Sequence, residues 1–177
     1  MAGAGRSSAL ALSVPPATLV GMTGWQEFAE QAPELASAAR ARLESMQHHV
    51  LATLRQDGAP RVSGTEAGWY GGDLTFGSMP GARKARDLQR DGRFALHTNP
   101  GDGTMSAPDV KISGVAVEVT GDEQAAWVAE AQPPQTDAHL FRCAITEVVT
   151  TRLSDDQTHL VITSWTPDQG VRVFKRT

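Results

Sequence analysis

Apolar residues recur at three- and four-residue steps from Trp25 to Met46, through Phe28, Ala32, Leu35, Ala39 and Leu43, which predicts one amphipathic helix packed on a sheet. Thr23, with Gln26 three residues later, has the form of a capping box at its start. Past His48 the period shortens to two. HHVLATLRQDGAPRVSGTEAGWYGGDLTFGS holds three runs rich in Val, Leu, Thr, Tyr and Phe, separated by the turn signals Asp57-Gly58 and Gly71-Gly72, so three consecutive antiparallel strands are expected. ARKARDLQRD returns to a helical period through Ala85 and Leu88. RFALHTN and KISGVAVEVTG then read as strands, the second with Gly114 as a bulge or barrel corner. DEQAAWVAEA is a short helix with Asp122 as its cap. LFRCAITEVVTTRL, HLVITSW and VRVFKR supply the last strands, joined at Ser154-Asp155-Asp156 and Pro167-Asp168-Gln169-Gly170. About seven meandering strands with almost no helical crossover predict a mainly β, α+β fold: a small closed or split antiparallel barrel with peripheral helices.

Composition narrows this only at a few points. A chain of 177 residues with 40% hydrophobic content can bury one good core, and residues 22–177 are read as a single domain. The opening MAGAGRSSALALSVPPATLVG carries Arg6 before a short apolar run, as a signal peptide does, but Pro15 and Pro16 interrupt it. Residues 1–21 are read as a disordered leader. A net charge of −4 with mixed signs leaves no footprint for nucleic acid or an anionic membrane surface. No apolar run reaches the ~20 residues of a spanning helix. Cys143 is the only cysteine, which excludes an internal disulfide or a cysteine-built metal cage and fits a reducing cytoplasm.

The stretch GSMPGARKARDLQRD, from Gly77 to Asp91, sets cations where a helix begins. Ser78 and Pro80 mark the start, so Arg83 and Lys84 fall in the first turn. There the exposed N–H groups and the macrodipole amount to roughly half a positive charge, and each cation costs ~0.3–1 kcal/mol unless something negative offsets it. A bound phosphate would offset it: backbone N–H groups, the hydroxyls of Ser78 and Thr75, a guanidinium and an ammonium together make a dianion site. The alternative is a solvated face on which Arg83 and Lys84 pair with Asp87 one turn on. The spacing excludes a P-loop, since no Ser or Thr follows Lys84 and the preceding strands are antiparallel.

Other residues are weighed in the same way. His48 and His49 open a strand with side chains on opposite faces and cannot join one metal site. His139 and Cys143 are four apart at a strand entry, and no metal is assigned to them. His97 is either a strand histidine or a neighbour of the bound group.

LATLRQDGAPRVSG, LTFGSMPGARKARDLQRDGRFALHT and KISGVAVEV resemble, in that order and spacing, the pyridoxamine 5′-phosphate oxidase-like family of FMN-binding split barrels. The resemblance runs from about His48 to Thr120 and more loosely beyond. It implies a homodimer with the cofactor at the subunit interface, and a cofactor phosphate held by the Arg-Lys pair that opens the helix after the third strand, here Arg83 and Lys84. It also implies Gly77 and Ser78 along the phosphate and ribityl chain, and Arg61, Val62 and Ser63 beside the isoalloxazine. Lys111 reaches the same anion or simply opens a strand in solvent. Trp165 and Arg172 flank the last turn, where related barrels close over the partner's cofactor; core packing and surface charge are the alternatives for them. The tail SWTPDQGVRVFKRT lacks the Arg-x-His motif of the oxidase proper, and Asp109 stands near a family glutamine, so its substrate does not carry over. The expected activity is an FMN-dependent oxidoreductase acting on a small molecule, with no acid or base nominated because the flavin carries the hydride chemistry. Two alternatives remain: a reductase using the deazaflavin coenzyme F-420, whose long tail needs a basic channel such as Arg40, Arg42 and Arg86 would line, and a module that holds flavin or haem without turnover.

Overall fold

The computed structural model of the chain describes residues 23–100 and 107–177, and the leader expected over residues 1–21 lies outside the described residues. Two short helices, α1 (Trp25–Gln31) and α2 (Pro33–Glu44), precede three strands, β1 (His48–Leu54), β2 (Pro60–Tyr70) and β3 (Asp73–Ser78). Helix α3 (Arg83–Arg90), strands β4 (Arg93–His97) and β5 (Asp109–Val119), helix α4 (Gly121–Ala131) and strands β6 (His139–Leu153), β7 (Leu160–Thr166) and β8 (Gly170–Arg176) complete the order. The strands form one antiparallel sheet in the order β3-β2-β1-β4-β5-β6-β7-β8, and β3 also pairs with β6. That second pairing closes the first six strands into a barrel, the split antiparallel barrel with peripheral helices that the hydrophobic pattern predicts.

The split lies along one edge of β6. Its first residues, His139 to Arg142, pair with β3, and from Val148 onward the same edge pairs with β7. Between the two, Ile145 donates its N–H to the Thr23 carbonyl at 2.8 Å in an isolated bridge. Strands β7 and β8 therefore leave the barrel as a ribbon.

Register explains the core. Leu51, Leu96, Ile112, Val148 and Trp165 are successive cross-strand partners from β1 to β7, and none is more than 1% exposed. Burying each such side chain contributes about 1.5–3 kcal/mol, and a one-residue slip would turn the whole row outward. Gly71 and Gly72 take positive φ values of 61° and 87° in the tight β2–β3 turn, a backbone that an L side chain rarely adopts.

Several expectations need correction. The single helix over Trp25–Met46 is two, because Pro33 has no N–H to continue α1 and instead opens α2 at its first turn, after Ala32 leaves helical geometry. The apolar periodicity survives the break: Trp25, Phe28, Leu35, Ala39 and Leu43 are all buried, while Met46 lies beyond α2 and is exposed. No Thr23–Gln26 capping box forms, since Thr23 is spent on its bridge to Ile145 and the Trp25 N–H donates to Asp73 Oδ1 of β3 at 3.0 Å. Asp122 lies in the first turn of α4 without a capping bond, behind Thr120. The described residues hold eight strands, one for each run read from the pattern including VRVFKR, so the expected total of about seven is one short.

Gly114 does sit at a bulge: the β5–β6 register shifts between Ser113 and Gly114. A Cβ there would lie 2.1 Å from the Ala144 carbonyl oxygen and 3.1 Å from the Phe94 ring, and the obstructing oxygen is backbone. Gly114→Ala should therefore destabilise the protein by at least about 2 kcal/mol or prevent folding, read as a lower urea midpoint than that of the unaltered chain.

Candidate functional site

The chain reaches the barrel end at Ser78 and turns through Met79, Pro80 and Gly81, the last at a φ of 71°. Ala82 is extended and caps α3, so the helix starts at Arg83, three residues past the expected Pro80. Arg83 and Lys84 are then its first two residues, where the expectation placed them.

Helix α3 runs back along β2. Lys84 Nζ donates to the Gly64 carbonyl at 2.9 Å and to Thr65 Oγ1 at 3.2 Å, Asp87 lies over Arg61 and Thr53, and Arg90 donates to the Leu54 carbonyl. Asp87 does not serve the two leading cations. Its carboxylate is turned beneath the helix, where Oδ2 accepts from Arg61 Nε at 2.5 Å and from Thr53 Oγ1 at 3.1 Å, and Oδ1 faces Arg90 at 3.3 Å. Burial pushes the Asp87 carboxyl up, but these three donors outweigh it and hold the group below its usual 3.8. The pairing of Arg83 and Lys84 with Asp87 that the alternative reading expects is therefore not formed.

What remains at the helix start is an excess of unanswered donors. Arg83 is exposed and has no partner among the described residues. Lys84 is half-buried with only neutral oxygens as hydrogen-bond partners, and burial pushes its ammonium below the usual 10.5, with Glu66 compensating in part. Ser78 is only 7% exposed and its Oγ has no hydrogen-bond partner. Buried polar atoms are normally paired, so an orphan hydroxyl at the end of β3, together with an ammonium that meets only neutral hydrogen-bond partners at the start of the next helix, fits a phosphate-bearing group.

The other expected residues divide into three sets. Arg61 and Ser63 alternate onto the same face of β2 as Thr65, the face that α3 covers, and Gly77 precedes Ser78 in β3, opposite Leu140. Val62 points to the opposite face and is 70% exposed; Lys111, facing His97 across the β4–β5 pair, shares that outer face. Trp165 joins neither set: it is fully buried in the core row, its ring 4.6 Å from that of Phe28, so the chain uses it for packing. Thr75, three residues before Ser78, faces away from the cradle.

Among the remaining candidates, Arg40 binds Glu44 and lies over the Trp69 ring at 4.3 Å, and Arg42 donates to the Asn99 carbonyl, so of the three residues set out for a basic channel only Arg86 is uncommitted among the described residues. Arg172 packs on Phe174 and bonds Gln169. Asp109 opens β5 opposite Thr151. His49 is buried and His48 exposed, on opposite faces as expected; His139 pairs with Glu118 at 2.5 Å, and Cys143 is a buried free thiol. Sequence reading missed Gly64, Thr65 and the downward turn of Asp87. A charge flanked by the buried Ala85 and Leu88 was the available signal.

A 470 Å³ groove opens beside Arg61, lined by Arg55, Gln56 and Asp57, and a 340 Å³ cleft lies at the split, between β5, β6 and the start of β3. Neither is lined by the residues at the start of α3. No helix among the described residues is long and apolar enough to cross a membrane.

A closed six-stranded antiparallel barrel with a helix of cationic start bonded to its first and second strands defines the split-barrel class. The chain belongs to the pyridoxamine 5′-phosphate oxidase family, whose model matches residues 35–152 and so spans every element of the cradle. Its fold is shared with a pyridoxamine 5′-phosphate oxidase-related, FMN-binding protein from Nostoc punctiforme (TM-score 0.60, 14% identity, 82% of this chain and 96% of that one). It is also shared with PhzG from Burkholderia lata, solved with tetrahydrophenazine-1-carboxylic acid (TM-score 0.55, 17% identity, 82% and 89%). A haem-binding protein from Mycobacterium smegmatis is similar over 75% of this chain (TM-score 0.56, 22% identity), which spans 58% of that longer one. No curated protein matches the chain.

Because the folded Lys84 pKa lies below the unfolded 10.5, its charge opposes folding at neutral pH, and that cost disappears as pH rises through the folded value toward 10.5. Ligand-free protein should thus gain stability over that alkaline range relative to Lys84→Met, and the variant should be the more stable of the two at pH 7, as measured by urea unfolding at each pH.

Proposed function

We propose that the chain is an FMN-dependent oxidoreductase acting on a small molecule in the cytoplasm, with the FMN phosphate seated at the start of α3. The observations that carry this reading are the orphan Ser78 Oγ at the end of β3 and, six residues on at the start of α3, a half-buried Lys84 with no carboxylate in hydrogen-bond contact. Ser78 donates its hydroxyl to the phosphate, Lys84 and Arg83 supply its charge, and the first backbone N–H groups of α3 point at it. Gly77 lets the ribityl chain pass close to the backbone, and Arg61 and Ser63 precede the Lys84-bonded Gly64 and Thr65 along β2. Bound FMN supplies the hydride chemistry; the chain's own residues place it and exclude water around it. Membership of the family and the FMN-binding relative from Nostoc punctiforme support the choice of FMN.

The commitment of Arg40 and Arg42 to Glu44, Trp69 and Asn99 weighs against the deazaflavin reading, which needs a free basic channel for a polyanionic tail. Haem is disfavoured because His49 is buried and His139 is engaged by Glu118.

The functional unit in this reading is a homodimer with the cofactor between subunits. Exposed Val50 and Val62 on the outer face of the barrel, and Val171, Val173 and Phe174 on the β7–β8 ribbon, give a second copy apolar surface to cover. Lys111, on that outer face, then approaches the cofactor from the interface side.

Cofactor-free protein should bind FMN more tightly than the deazaflavin in a fluorescence titration, and Arg83→Ala with Lys84→Ala should weaken FMN at least tenfold, about 1.4 kcal/mol. Equal binding by the double variant would reduce the pair to surface charge. Light scattering at micromolar concentration should give a dimer; a monomer would sink the shared-site arrangement.

A further inference from the structure

Helix α3 is eight residues long, too short to hold its shape alone, and its apolar contacts come from Ala85 and Leu88. Apolar contacts are non-directional and tolerate sliding or rotation of the helix on the sheet. A phosphate cradle does not, because hydrogen bonds weaken steeply with distance and angle. Something directional has to set the helix in place.

We propose that Asp87 is the positioning residue of the α3 cradle, registering the helix start against β2 through a carboxylate clamp that never touches the ligand. It rests on the reading of the cradle as a phosphate site. Asp87 is 3% exposed and accepts from three elements at once: Thr53 of β1, Arg61 of β2 and Arg90 of α3 itself. Arg90 extends the clamp to the Leu54 carbonyl. These bonds lie one turn or more below Lys84, on the side of the helix that faces the sheet, and Lys84 reaches the same strand at Gly64 and Thr65. Among the described residues, apart from the clamp with its Arg90–Leu54 bond and from Lys84, only the exposed Gln89–Glu118 bond ties α3 to the sheet by a polar contact.

The clamp also sorts charge. One carboxylate answers two guanidiniums, those of Arg61 and Arg90, so neither attracts the ligand phosphate away from the helix start. Arg83 and Lys84, left unanswered, define where the dianion sits. Truncating Asp87 frees cationic charge nearby, which by itself strengthens anion binding. It also releases the helix register, which weakens it. The proposal holds that register dominates.

The test compares FMN with riboflavin, which lacks the phosphate, in fluorescence titrations of the full chain and of Asp87→Ala and Asp87→Asn. Unaltered protein should prefer FMN at least tenfold. Asp87→Ala should cut that preference at least fivefold while riboflavin affinity changes less than twofold, with Asp87→Asn between the two because its amide oxygen still accepts hydrogen bonds. Backbone amides at the start of α3 should exchange hydrogen faster in both variants. If Asp87→Ala does not fold, the Arg61→Gln, Asp87→Asn pair leaves no unpaired charge in place of the Arg61–Asp87 ion pair and should show the same lost preference. Preference for FMN kept in the variants, or FMN and riboflavin weakened equally, would overturn the clamp alone. Unaltered protein that binds FMN no better than riboflavin would overturn the cradle reading and the clamp with it, and α3 exchange would still report whether Asp87 holds the helix.

Discussion

One strand makes two sets of hydrogen bonds, and the molecule is organised by that fact. Strand β3 pairs with β2 on one edge and with the first residues of β6 on the other, which joins strands far apart in the chain and leaves the barrel no free edge there. Ser78, the last residue held by both the strand and its β6 partner His139, is thereby fixed at the barrel end. The chain must turn at once, and the left-handed Gly81 with the extended Ala82 sends α3 back over β2. The orphan hydroxyl and the two leading cations of α3 fall within six residues of each other on either side of this turn.

The electrostatics of α3 make sense only when its two sides are considered together. A helix with four basic residues among eight and a cation at its first position is a poor helix in isolation. Its buried side corrects part of the imbalance through Asp87, which matches Arg61 and Arg90 with a carboxylate kept ionised by its donors. Its leading end corrects nothing. Local sequence and global fold disagree at that one place, and such disagreement is where function is sought.

Much of this was legible beforehand, for reasons that can be stated. Strand alternation and the Gly-Gly turn specify local geometry through side-chain period and backbone sterics, so the barrel and the Gly114 bulge could be read directly. Arg83 and Lys84 stood out because a charge in a helix's first turn has a known sign of interaction. What could not be read was direction. Asp87 is three residues from Lys84 and four from Arg83, spacings equally consistent with a surface pair and with a buried clamp, and only the strand beneath decides between them. Trp165 stayed open between cofactor and core for the same reason: its proximity to a turn said nothing about which face of β7 it occupies, and the register with Val148 turns it into the core. The helix over residues 25–46 failed on a purely local rule that apolar periodicity conceals, the missing N–H of Pro33.

The cap of α1 bears on how the chain assembles. Trp25 finds its partner oxygen in Asp73, 48 residues later, on a strand that exists only once the β2–β3 hairpin has formed, and Asp73 also faces Arg142 of β6 at 3.4 Å. A seven-residue helix with no cap of its own cannot persist until that strand is in place. The amino-terminal element of this protein is therefore among the last to settle. During synthesis the ribosome releases Trp25 and Phe28 long before anything is ready to cover them, and the interval is set by the emergence of β3 and β6 rather than by the helix's own sequence.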